Sequence, residues 1–139
     1  MKNRRIIGID PGSRVSGLAC IEHPLVGVRF KDIKIIDMLS LETKDSNSII
    51  TKVGQLHEVF YKLFQQHSPD ICVLEKCFIG RNPQSALKLG LVRGACICAA
   101  SRLNISILEL APTSIKKTIA GNGHASKTEI VIALETLLA

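Results

Sequence analysis

The segment Arg5-Ile6-Ile7-Gly8-Ile9-Asp10, closed by Pro11-Gly12, constrains the rest of the chain more than any other. Its branched apolar run is too short for an ordinary helix and too continuous for a strand with one wet face. It reads as a buried central strand that ends in a carboxylate and then turns tightly. A strand of that kind needs apolar cover on both faces, so the remaining sequence has to provide partner strands and covering helices.

Residues 15–22 partly alternate and read as a second strand, broken by His23-Pro24; residues 33–41 read as a third. Short connections between three such strands point to an antiparallel meander. The period then changes. Ile49, Val53, Leu56, Phe60, Leu63 and Phe64 recur at helical spacing, with Asn47 or Ser48 as N-cap, and Ser68-Pro69-Asp70 ends the helix. Residues 71–75 form another buried strand, 83–102 a helix and 105–110 a fifth strand. Pro112-Thr113 and Ala125-Ser126 open two further helices. The order βββ-α-β-α-β-α-α predicts an α/β domain: a mixed five-stranded sheet, three antiparallel strands first, with helices on both faces. It resembles the ribonuclease-H-like fold. The chain has 139 residues and no linker or repeat, which suits a single domain over 1–139.

Charge narrows the partners. There are 18 Lys and Arg against 12 Asp and Glu, a net +6, which favours a polyanion such as nucleic acid. With four Phe, one Tyr and no Trp, a broad base-stacking platform is not expected. No apolar run approaches the roughly 18 residues of a membrane span. Asp10 and Pro11 interrupt the apolar stretch after the basic N-terminus, so it is not a secretory signal. The odd set Cys20, Cys72, Cys77, Cys96 and Cys98 reads as small buried hydrophobes in a reducing, cytoplasmic setting. Cys96-x-Cys98 lacks the second pair that a zinc site needs.

Two acids carry the chemistry. Asp10 ends the first strand, and Glu75 ends the fourth after Ile71, Val73 and Leu74. In a ribonuclease-H-like sheet those strands are neighbours, which sets the two carboxylates side by side. Adjacent carboxylates repel, and a divalent cation resolves the conflict. Mg²⁺ suits such oxygen ligands; of two ions in a complete site, one activates water and the other stabilises the leaving oxygen. Spacing alone leaves another reading open, in which both acids cap loops or pair with Lys and Arg.

The stretches Ile7-Gly8-Ile9-Asp10-Pro11-Gly12-Ser13-Arg14, Leu74-Glu75-Lys76-Cys77-Phe78, Ser85-Ala86-Leu87-Lys88-Leu89-Gly90 and Arg93-Gly94 together resemble the RuvC family of Holliday junction resolvases. The likeness continues through Ile115-Lys116-Lys117-Thr118, Gly121-Asn122-Gly123 and Ala125-Ser126-Lys127. It implies a homodimer that nicks opposing strands of four-way junction DNA with Mg²⁺, for which Mn²⁺ can substitute. It assigns Asp10 and Glu75 as catalytic metal ligands, and Phe78 as an aromatic that contacts bases near the junction centre. Lys116 and Lys127 match basic residues facing the scissile DNA, and Arg14, Lys76 and Arg81 join them as candidate DNA contacts. The family's branch-migration proteins RuvA and RuvB are partners by resemblance alone. Without the resemblance, Phe78 would read as core and the lysines as solvated helix faces.

The family's last helix carries two more ligands, an Asp followed a few residues later by an Asp or His. Here no Asp follows Asp70, and Leu137-Leu138-Ala139 stands where the preceding helix should finish. The expectation is a C-terminally incomplete nuclease domain that binds Mg²⁺ weakly and cuts slowly or not at all. Glu129 and Glu135 fall on the wrong helix and should be exposed. Two other functions compete. One is a junction-binding paralogue that does not cut. The other is a piece of an actin-like ATPase, whose first phosphate-binding strand resembles Ile7-Gly8-Ile9-Asp10-x-Gly12.

Helix 83–102 carries Gly90 and Gly94 at i, i+4, a spacing that lets another backbone approach. Leu87, Leu91, Ala95 and Cys98 extend that stripe, while Leu89, Ile97 and Ala100 point elsewhere. The stripe reads as a seam between two subunits, against the alternative of a helix fully buried in one.

Overall fold

The computed structural model describes residues 2–45, 47–78, 80 and 82–139. The strands are β1 (Asn3–Asp10), β2 (Val15–Pro24), β3 (Lys34–Glu42), β4 (Ile71–Glu75) and β5 (Ser106–Leu110). The helices are α1 (Ile49–His67), α2 (Pro83–Arg102), α3 (Pro112–Ala120) and α4 (Lys127–Leu138). The sheet runs β3-β2-β1-β4-β5. β1 pairs antiparallel with β2 and parallel with β4. The mixed five-stranded sheet and its central first strand are as expected.

One face of the sheet makes the core. Ile7 and Ile9 of β1 align with Cys20 and Leu18 of β2 and with Cys72 and Leu74 of β4. All six are buried, together with Leu56, Phe60, Leu63 and Phe64 of α1 and Val92, Cys96, Ala99 and Ala100 of α2. α1 starts where Ser48 accepts a hydrogen bond from the Thr51 amide, and ends at Ser68 in the left-handed region. α2 starts at Asn82, whose side chain accepts from the amides of Gln84 and Ser85, with Pro83 at the first helical position.

The other face is covered less completely. α3 and α4 pack on each other, and neither contains a buried residue. Val73 and Ala19 are half-buried there, while Met38 and Leu108 are exposed. Ser126 caps α4 and forms a reciprocal box with Glu129, which is exposed, as is Glu135.

Four expectations need correction. β2 runs through His23 to Pro24, which occupies the last pair of the ladder with Asn3. At that terminal position the missing N–H leaves no interior bond unmade. A short 3-10 turn at Phe30–Asp32, absent from the hydrophobic pattern, is held by an Arg29–Asp32 ion pair of 2.8 Å. Ala95 is buried and belongs to the core side of α2, whereas Leu87, Gly90, Leu91 and Cys98 are exposed. The cysteines divide: Cys20, Cys72 and Cys96 are buried, Cys77 is half-buried and Cys98 is exposed. Among the described residues, no helix is long and apolar enough to cross a membrane.

Candidate active site

Register decides where the two acids point. Ile9 pairs with Leu74, so the next residues, Asp10 and Glu75, stand side by side. Side chains alternate along a strand. Because Ile9 and Leu74 face the core, both carboxylates face the opposite side. They border a cleft of about 240 Å³ with Pro11, Lys76, Cys77, Phe78, Leu89 and Pro112.

Both flanks of the cleft are fixed. A Cβ at Gly12 would collide with the Val15 carbonyl, so the turn after Asp10 requires glycine. The wholly buried Ser16 hydroxyl both accepts from the Gly12 amide and donates to its carbonyl, each at 3.1 Å. At β4, the Lys76 amide donates to the Leu110 carbonyl at 2.8 Å, extending the ladder past Glu75. Arg93 of α2 donates to the Glu75 main-chain carbonyl and pairs with Glu109 of β5 at 2.5 Å. Its side chain is only 12% exposed. Arg93 therefore holds the strand end from the core side while the carboxylate projects from the other. The sequence marks Arg93 only within a motif, because its partner is a main-chain oxygen that no side-chain pattern displays.

The electrostatics are those of two acids forced together. The Glu75 carboxyl binds its proton more tightly than usual, through burial first, then through hydrogen bonding with and repulsion by Asp10, while Lys116 acts in the opposite direction. Pro112, the first residue of α3, lines the cleft, and Lys116 further along that helix is the cation that acts on Glu75. Phe78 is 67% exposed, which removes the reading of it as core. Lys76 is exposed on the rim. Arg14 is exposed and lines a separate neighbouring pocket. Lys127 is exposed in the first turn of α4 and is not among the cleft residues. Arg81 lies outside the described residues. Among the described residues, no third His, Cys, Asp or Glu joins Asp10 and Glu75 in a group able to hold a metal.

A family model for the crossover junction endodeoxyribonuclease RuvC matches residues 6–139. The chain belongs to the RuvC family. It is 36% identical over 135 residues to the RuvC of Hydrogenovibrio crunogenus, covering 97% of this chain and 75% of that one. It is 35% identical over 133 residues to that of Chlamydia felis, covering 96% and 77%. Among solved structures, Thermus thermophilus RuvC in complex with Holliday junction substrate superposes with a TM-score of 0.86 at 25% identity, covering 97% of this chain and 79% of that one. The yeast mitochondrial Holliday junction resolvase Ydc2, at 16% identity and a TM-score of 0.69, shares the fold, covering 96% and 61%. RuvC-family proteins are metal-dependent nucleases, and the paired acids here are oxygen donors of the kind a hard divalent cation takes.

Proposed function

We propose that the chain is an endonuclease that resolves four-way DNA junctions at the Asp10–Glu75 cleft, with Mg²⁺ as its ion and Mn²⁺ as a substitute. The observation that carries the reading is the meeting of these two carboxylates, from adjacent parallel strands, in one cleft of a RuvC-family chain. Asp10 and Glu75 would hold the ion. Their mutual repulsion favours a cation between them, and Mg²⁺ is commonly bound by one or two carboxylates together with substrate phosphates. When bound, it supplies an activated water and charge neutralisation on the phosphate.

The chain's own side chains do the rest. Lys116 places a fixed positive charge beside the scissile phosphate. Phe78, exposed at the rim, offers a face on which an unpaired base at the junction centre stacks. Lys76, Arg14, Arg81 and Lys127 contribute phosphate contacts. A homodimer seam along Leu87, Gly90, Leu91, Gly94 and Cys98 of α2 would seat a second copy, and two copies provide one cleft for each opposing strand.

A second reading, junction binding without cutting, competes with this one. One experiment separates the two. Four-way junction DNA and duplex of equal length are titrated with the chain, and nicking is followed with Mg²⁺ or Mn²⁺. The nuclease reading expects tighter junction binding and metal-dependent nicks, reduced more than about a hundredfold in Asp10→Asn, beyond the ~10–100-fold usual for residues that only support a ligand. Junction binding with no nicks selects the second reading. Equal affinity for both DNAs overturns both.

A further inference from the structure

We propose that the pocket beside the cleft is a second phosphate site, one that takes a backbone phosphate of the DNA arm flanking the cut. The inference rests on the nuclease reading only for the identity of the polymer. The pocket has a volume of about 450 Å³, and its lining includes Ser13, Arg14, Asp45, Asn47, Lys52 and Lys88. Three cations come from three elements: the loop after β1, the first turns of α1, and α2. A single acid opposes them. Asp45 is 72% exposed and lies 3.6 Å from Arg14 and 3.9 Å from Lys52, so one solvated carboxylate is shared between two cations at long range. Lys88 adds a third positive charge to the lining.

Lys52 is the informative residue. Its side chain is only 11% exposed. It also stands near the amino end of α1, where the helix dipole already favours negative charge. A positive charge there opposes the sign of the dipole. An anion in the pocket offsets that conflict. Ser13 and Asn47 supply neutral donors beside it.

The pocket is held in place before any ligand arrives. The Thr43 hydroxyl donates to the Ser13 carbonyl at 2.9 Å, and the Thr43 amide donates to the Arg14 carbonyl at 3.0 Å. These bonds fasten the loop after β1 to the end of β3. The same loop begins with Pro11, which lines the carboxylate cleft. Pocket and cleft therefore share one short loop at one end of the sheet. A ligand that fills both carries phosphates along a chain, as a nucleic-acid strand does.

The test is the salt dependence of binding to linear duplex and to four-way junction DNA. Lys52→Gln with Lys88→Gln should lower the slope of log affinity against log salt by about 0.9 for each phosphate that is no longer neutralised, on both DNAs. Lys62→Gln, an exposed lysine further along α1 that pairs with Glu58 at 3.6 Å, should leave the slope unchanged. Lys88→Gln alone, at an exposed position, keeps the test valid if loss of Lys52 disturbs the fold. An unchanged slope in a folded double variant overturns the proposal while leaving any junction preference of the wild type intact. A reduced slope on duplex in a protein without junction preference supports the pocket and rejects junction specificity. Stabilisation by inorganic phosphate that the double variant loses, with DNA slopes unchanged, would assign the pocket to a free anion and overturn it too.

Discussion

At the amino end of β1, Arg5 reaches Glu22 on β2 at 3.0 Å and the His67 carbonyl at 2.7 Å, while its own amide donates to Asp70 at 2.8 Å. His67 meets Asp37 of β3 at 3.0 Å. Each of these charges has an opposite or a hydrogen-bonding partner. At the carboxyl end of the same strand, Asp10 is set against Glu75, with Lys116 as the opposing cation. Both ends lie on one sheet only eight residues long in its central strand. The first arrangement fastens strands to a helix; the second holds like charges together, which lowers stability unless a cation enters. Close like charges that a fold maintains are a signature of sites rather than of scaffolds.

The comparison breaks most visibly at Arg93. Its side chain ties the Glu75 main chain to α2 and β5, and it does so from the core side. Arg93→Met should weaken Mn²⁺ or Mg²⁺ binding about 10–100-fold, the range seen when residues supporting a ligand are removed. Titration of the folded protein with metal measures this directly. Arg93→Lys should restore part of the loss, because one ammonium can still donate to the carbonyl but cannot fork to Glu109 as well. Metal affinity equal to wild type in folded Arg93→Met would show that the ladder alone positions Glu75.

Much of this contrast was legible in the sequence, though unevenly. The adjacency of Asp10 and Glu75 follows from two features a sequence displays: an apolar run that ends in an acid, twice, and an element order that makes the two strands neighbours. The bounds of α2 follow from Pro83 and from Asn82 as its cap. The paired end was not legible. Arg5 with Glu22 and His67 with Asp37 join residues 17 and 30 positions apart, through side chains whose types are common on any surface. The 3-10 turn at Phe30–Asp32 escaped because an Arg29–Asp32 bond, not apolar periodicity, maintains it. Ala95 was misplaced by one helical face because a small residue marks a close approach equally well to a partner chain or to its own sheet.

A smaller effect is expected at the paired end. Arg5→Met removes the donor shared by Glu22 and the His67 carbonyl. Arg5 is about a third exposed, so water replaces part of what is removed, and the expected cost is about 1 kcal/mol. Metal binding at the far end should not change. Chemical denaturation with a parallel metal titration measures both. A loss of metal affinity matching that of Arg93→Met would mean that the two ends are not separable.

The smallest effect is the most discriminating, because the two ends should respond to pH with opposite sign. Glu22 titrates below its ordinary value, through hydrogen bonds from Asn3 and Arg5. Its unfolded form therefore holds a proton more readily, and the stability it contributes is complete above the unfolded pKa of about 4.3. That contribution is lost as pH falls through the lower folded value. Glu75 titrates above its ordinary value, through burial and Asp10. Its folded form holds the proton more readily, so stability falls as pH rises from the unfolded value to the folded one, the penalty is complete above the folded value, and it vanishes in acid. In metal-free buffer, Glu22→Gln should then be less stable than wild type near neutrality, and Glu75→Gln more stable. The Glu75 difference should vanish as pH drops below about 4, where that carboxyl is protonated in the unfolded chain as well, and the Glu22 difference only at still lower pH, once its depressed folded value is passed. On the proposed function, adding Mg²⁺ should reverse the order for Glu75→Gln alone, since an ion held between the carboxylates would stabilise only the chain that keeps both. A Glu75→Gln variant less stable than wild type at neutral pH without metal would show that Glu75 is a structural partner, and that the two ends of the sheet are built alike.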